Sequence, residues 1–183
     1  MRSGTVKALA LGLLLVTTPI LHAQTGQYDF MPSGGRTLLT DLFAGDSAAL
    51  AETASRSADR AEWLDWALVE GRFADDRAAE TFAAYAAFNF PLTSDQRDAL
   101  ASGDLDALPL DGKDLAIAHC QFCHSFFSGY LMIKREEPAW LGTFNAPFHT
   151  EIKMTEIERK TFAAYSALNM PLKFEDVPPE LRF

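Results

Sequence analysis

Apolar side chains recur along most of this chain at helical spacing, with polar and charged residues between them. Residues 48–69 are Ala-rich with that spacing, and residues 77–88 repeat it. Residues 112–122 and 155–168 give two further amphipathic stretches. Thr155 and Glu158, three positions apart at the head of the last stretch, form a capping-box signature. No run of useful length alternates apolar with polar, and no hairpin signal separates two such runs. The pattern therefore predicts an all-α fold.

The pattern also repeats. Residues 81–92 read TFAAYAAFNFPL and residues 161–172 read TFAAYSALNMPL, with nine of twelve positions identical at an offset of 80. Ala-rich composition alone does not produce the Asn-x-Pro-Leu ending twice, so the pair reads as a duplication. Each copy is a helix closed by Asn and then Pro, which cannot continue it. A Trp-Leu pair precedes each copy, Trp63-Leu64 and Trp140-Leu141. Residues 102–112, rich in Ser, Gly, Asp and Pro, mark the join. The expected organisation is a leader over 1–23, a helical repeat over 24–108 and a second helical domain over 109–183.

The leader is expected from Arg2 and Lys7, the apolar residues of 8–21, and Leu21-His22-Ala23 as a small-residue cleavage site. Its apolar run is short for a membrane span, and no cysteine follows it to carry a lipid. The expectation is an exported, periplasmic protein cleaved after Ala23, with no membrane span in the mature chain. The full sequence has 16 basic and 25 acidic side chains; loss of Arg2 and Lys7 leaves 14 against 25, a formal charge of −11. Such a chain is not expected to bind nucleic acid, whose phosphates call for Lys and Arg. It is expected to be steered toward a partner with a basic docking surface, more slowly as salt rises.

The candidate chemistry lies in Cys120-Gln121-Phe122-Cys123-His124. Two thiols three positions apart on one helical turn can each add across a vinyl group of a porphyrin, and the next imidazole can ligate its iron. C-x-x-C-H reads as c-type haem attachment. Cys-x-x-Cys also serves thioredoxin-like redox pairs and half of a zinc site. No βαβ pattern surrounds this one, and a four-thiolate zinc site needs more than the two cysteines present. A structural disulfide here would close a very small loop and add little stability.

With that motif in place, residues 110–183 resemble the class I c-type cytochrome family. Residues 111–119 look like its first helix, running into Cys120, Cys123 and His124. Residues 155–168, with Ala163-Ala164-Tyr165, look like its C-terminal helix. The first half shares only the C-terminal-helix part and looks like a cytochrome-like repeat without haem. The resemblance implies one covalent haem c, with His124 as proximal ligand and the Pro138 carbonyl accepting a hydrogen bond from its imidazole. It also implies a Met from the loop before the last helix as sixth ligand. Met154 lies in that region but close to the helix, and His149 lies nearer the usual distance, so Met154, His149 and an open position all stand as alternatives. A thioether would raise the reduction potential relative to a second imidazole. Met170 and Met132 read as packing residues, and His119 as a helix-face residue. Trp140 reads as an interface Trp that could also donate to a propionate. The expected function is a periplasmic single-electron carrier or cytochrome subunit. The alternative is a peroxidase or small-molecule oxidoreductase with an open sixth position, for which His149 would be the distal acid–base group.

Overall fold

The computed structural model describes residues 26–69 and 73–183. The leader expected over 1–23 lies outside the described residues. Every helix and turn of helix among them belongs to an all-α fold with no strand.

Among the described residues eight α-helices follow one another: α1 Gly35–Leu42, α2 Ser47–Thr53, α3 Arg60–Val69, α4 Asp76–Asn89, α5 Ser94–Ala101, α6 Gly112–His119, α7 Glu137–Gly142 and α8 Glu156–Asn169. Caps explain most of the boundaries. Asp75 caps α4 by accepting from the Ala78 N–H. Thr93 with Gln96, Asp111 with Asp114 and Thr155 with Glu158 form reciprocal capping boxes at α5, α6 and α8. Among the described residues no helix is long and apolar enough to cross a membrane.

Two expected helices differ from those observed. Residues 48–69 are not one helix but α2 and α3. Asp59 and Glu62 bond each other's backbone N–H groups at 2.9 and 2.8 Å, and this capping pair starts α3 afresh. The helix expected over 112–122 ends at His119. Cys120 is its C-cap, and the Gln121 side chain donates back to the Ile117 carbonyl at 2.7 Å. The two thiols therefore lie on a bent segment after the helix, not on one helical turn.

The repeat helices α4 and α8 pack against each other, and their polar contacts exchange partners. Asn89 Nδ2 donates to Thr161 Oγ1 and Asn169 Nδ2 donates to Thr81 Oγ1, both at 3.0 Å. Tyr85 Oη donates to the Pro109 carbonyl and Tyr165 Oη to the Pro32 carbonyl, at 2.8 and 2.7 Å. Contacts in which i meets j and j meets i mark a two-fold relation, here an approximate one within a single chain. It pairs α1 with α6: a Cβ on Gly35 would stand 2.2 Å from Tyr85 Cβ, and one on Gly112 would stand 2.1 Å from Tyr165 Cβ. Both helices approach so closely because glycine leaves room.

Two apolar clusters flank this seam. One gathers Leu39, Leu50, Trp63, Phe82, Phe90 and Leu100; the other gathers Leu115, Tyr130, Leu131, Trp140, Phe162 and Val177. Tyr28 and Met31, early in the chain, pack into the second cluster. Burying one such side chain contributes about 1.5–3 kcal/mol, so each cluster is a core in its own right.

Candidate functional site

The first half fills itself. Phe82, the repeat counterpart of Phe162, is covered by Trp63, Trp66 and Phe73 with ring centres 5.7, 5.3 and 5.1 Å away. In the second half Phe162 instead borders a cavity of about 340 Å³, within the range of small-molecule and cofactor sites. Tyr130, Ile133, Trp140, Phe144, Ile152 and Phe162 make its apolar wall. Tyr130 is held by a 2.9 Å hydrogen bond to Ser166 Oγ, which donates onward to the Phe162 carbonyl at 2.7 Å. That chain of bonds fixes the floor of the cavity.

Cys120, Cys123, His124 and His149 all line this cavity. Cys120 follows α6 directly, and its thiol is pushed up to about 12 by burial and by the neighbouring Cys123. A nucleophilic thiol of a redox pair works the other way, through a lowered pKa. Both cysteines are free thiols.

The His124 ring lies against a π-helical turn, Phe127–Leu131. A Cβ on Gly129 would stand 2.2 Å from His124 Nδ1, so only glycine leaves the imidazole where it is. His124 Nδ1 is 3.4 Å from the Ser125 carbonyl, a long contact. In the same lining His149 Nδ1 is 3.0 Å from the Thr143 carbonyl. The two imidazole ring centres are 6.3 Å apart.

Pro138 and Met154 are placed elsewhere. Pro138 is exposed in the first turn of α7, away from the cavity lining. Met154 is buried among the second cluster and does not line the cavity either.

Three residues of the site carried weaker sequence signals. Gly129 shows only as Ser128-Gly129 after the motif, Arg135 only as half of a basic pair, and His119 only as a helix-face residue. Arg135 and His119 line the cavity. Arg135 stacks over the Trp140 ring at 5.3 Å and donates to Thr143 Oγ1 at 2.9 Å. The Trp140 indole N–H is buried without a partner, but so is that of Trp63 in the filled half. The orphaned N–H therefore does not by itself signal a ligand.

The donor set discriminates between metals. Among the described residues no three His, Cys, Asp or Glu side chains gather as a metal-ion cage. A bare ion of the zinc type takes four protein ligands in a structural site. A porphyrin iron brings its own ring nitrogens and would ask the protein only for one or two further ligands, which the imidazoles of this lining could supply. The two thiols, the imidazoles and the apolar wall fit that group.

Comparison with protein-family models, with curated proteins and with solved structures gives no match for this chain.

Proposed function

We propose that this chain is an exported c-type cytochrome that carries single electrons on one covalent haem c. Cys120 and Cys123 would hold the porphyrin through thioethers, and His124 would bind its iron. When bound, the haem supplies the one-electron couple, and the protein sets its potential through ligation, hydrogen bonding and burial. The observation that carries this reading is the convergence of both thiols of the C-x-x-C-H motif and its imidazole on one apolar cavity. Cys123 and His124 stand exposed at the cavity's edge, beside its apolar wall. An exposed rim beside the metal is what electron exchange through a porphyrin edge requires.

The resemblance to class I cytochromes enters as part of the same proposal. The chain's own chemistry supports it, together with a leader suited to maturation outside the cytoplasmic membrane. Charge supports a partner with a basic surface. Residues 24–108 hold 15 acidic and 6 basic side chains, against 10 and 8 in residues 109–183. The haem-free half is thus the negative pole that would orient such a partner, and electron-transfer rates should fall steeply as salt rises. Rates that ignore ionic strength would remove the partner claim.

The test is a reduced-minus-oxidised spectrum of protein matured in the periplasm. Wild type should show a low-spin c-type spectrum that exchanges electrons with a soluble redox dye. The Cys120→Ala, Cys123→Ala double variant should lose covalent haem. A haem-free wild type from a strain competent for c-type maturation would overturn the reading.

A further inference from the structure

We propose that His149 is the second axial ligand, so that the iron is held by two imidazoles, with Met154 serving only as packing. This rests on the haem reading above and specifies its ligand set.

The geometry lies in the cavity lining. Metal–imidazole bonds are about 2.0–2.1 Å, and with ~1.1 Å from each nitrogen to its ring centre, one metal between two imidazoles sets the centres about 6.2–6.4 Å apart. The His124 and His149 centres are 6.3 Å apart. Both rings line the same cavity, along with the two thiols that would fix the porphyrin plane.

The tautomer agrees. A backbone carbonyl only accepts, so His149 Nδ1, 3.0 Å from the Thr143 carbonyl, carries the ring proton. His149 Nε2 is then the unprotonated nitrogen, which is the one a metal binds. Metal-ligating histidines commonly donate their other ring N–H to a carbonyl in this way, which orients the ring and raises its basicity.

Met154 lacks every one of these features. It is 7% exposed, packed in the cluster of Trp140, Phe144 and Phe162, and absent from the cavity lining. Its backbone N–H donates to the Ile152 carbonyl at 2.9 Å, in the turn that leads into the Thr155 cap of α8. Bringing its thioether to the iron would empty that core position and shift the α8 cap.

The consequence is a lower reduction potential than a Met ligand would give, and a ferrous iron closed to carbon monoxide. The experiment uses the full matured protein and four spectra: wild type, Met154→Leu, His149→Ala and His149→Ala with added imidazole. Wild type and Met154→Leu should both be low-spin, lack a sulfur-to-iron charge-transfer band and ignore carbon monoxide. His149→Ala should become high-spin and bind carbon monoxide, and free imidazole should restore the low-spin spectrum. A sulfur-to-iron band in wild type that Met154→Leu abolishes would overturn the assignment while leaving the haem reading intact. A wild-type protein that binds carbon monoxide at once would also overturn it. If no variant carries covalent haem, the haem reading itself fails. Should His149→Ala fail to fold, the Met154→Leu comparison still decides.

Discussion

Asp111 joins the two halves through one carboxylate, and its replacement by Asn separates its two tasks. Oδ1 accepts from the Lys113 and Asp114 N–H groups at 2.9 and 3.0 Å, capping α6. Oδ2 accepts from the Arg36 and Thr37 N–H groups at 3.1 and 3.4 Å, at the start of α1. An Asn at this position keeps one oxygen for α6 and turns its NH2 toward the two N–H groups of α1. Leaving a buried donor without an acceptor costs about 1–3 kcal/mol, so Asp111→Asn should lose up to that much at low pH, where the protonated carboxyl still offers the Arg36 and Thr37 N–H groups a hydroxyl oxygen that an amide NH2 does not. Asp111→Ala, which also removes the α6 cap, should lose about 1 kcal/mol more.

The pH dependence adds a second signature. Asp111 is fully buried, and desolvation, with the Asp114 charge added, raises its carboxyl from 3.8 to about 6 against the pull of the N–H donors. A folded pKa above the unfolded one means that the folded state holds the proton more tightly. The stability from this group is complete below about pH 4 and is lost as pH rises through about 6. Two pKa units correspond to about 3 kcal/mol. Arg36, Lys113, Asp114, Tyr85 and Tyr165 are the other charged or titratable groups around it. Urea unfolding followed by far-UV circular dichroism between pH 4.5 and 8 measures both effects. Wild type should exceed Asp111→Asn at pH 4.5, with the gap closing or reversing by pH 8. A gap that stays constant across the range, or an Asn variant equal to wild type at pH 4.5, refutes the reasoning.

Gly129→Ala places a Cβ 2.2 Å from His124 Nδ1; overpacking of this kind costs about 1–3 kcal/mol. It should also perturb the haem spectrum and potential, whereas Lys134→Ala, exposed and outside the cavity lining, should leave both unchanged. Asn169→Ala removes bonds to Thr81 Oγ1 and the Tyr165 carbonyl and should cost about 1–3 kcal/mol in urea unfolding. Asn89→Ala, at the half-buried counterpart across the seam, should cost less. Equal losses would contradict the burial difference.

The elements that sequence patterning reached are those where local chemistry and tertiary packing agree. The Asn-x-Pro-Leu repeat and the Thr155–Glu158 cap announced α4 and α8 within a residue of their ends. The all-α fold followed from the spacing of apolar positions. Short helices such as α1, α5 and α7 escaped, because six to eight residues hold too few turns for periodicity to declare itself. The α2–α3 break hid inside an unbroken Ala-rich pattern, since its cause is the Asp59–Glu62 capping pair and not a Pro or Gly.

At the site, Cys120, Cys123 and His124 stood out in the sequence because haem attachment would demand their fixed spacing. The residue that would oppose His124 did not. Met154 and His149 are five positions apart in a loop, and only the cavity separates a core residue from a wall residue. The two-fold seam was half legible. The duplicated helices were in plain view, but the partnership of Gly35 with Gly112 depends on contacts to Tyr85 and Tyr165 that no local pattern encodes.

The central claim is covalent attachment of haem at Cys120 and Cys123, and the intact mass of the denatured, periplasmically matured chain tests it most directly. The account predicts a mass equal to the mature polypeptide plus one haem, reduced to the bare polypeptide in the Cys120→Ala, Cys123→Ala variant. A bare polypeptide mass in wild type, from cells that attach haem to another c-type cytochrome, would contradict it.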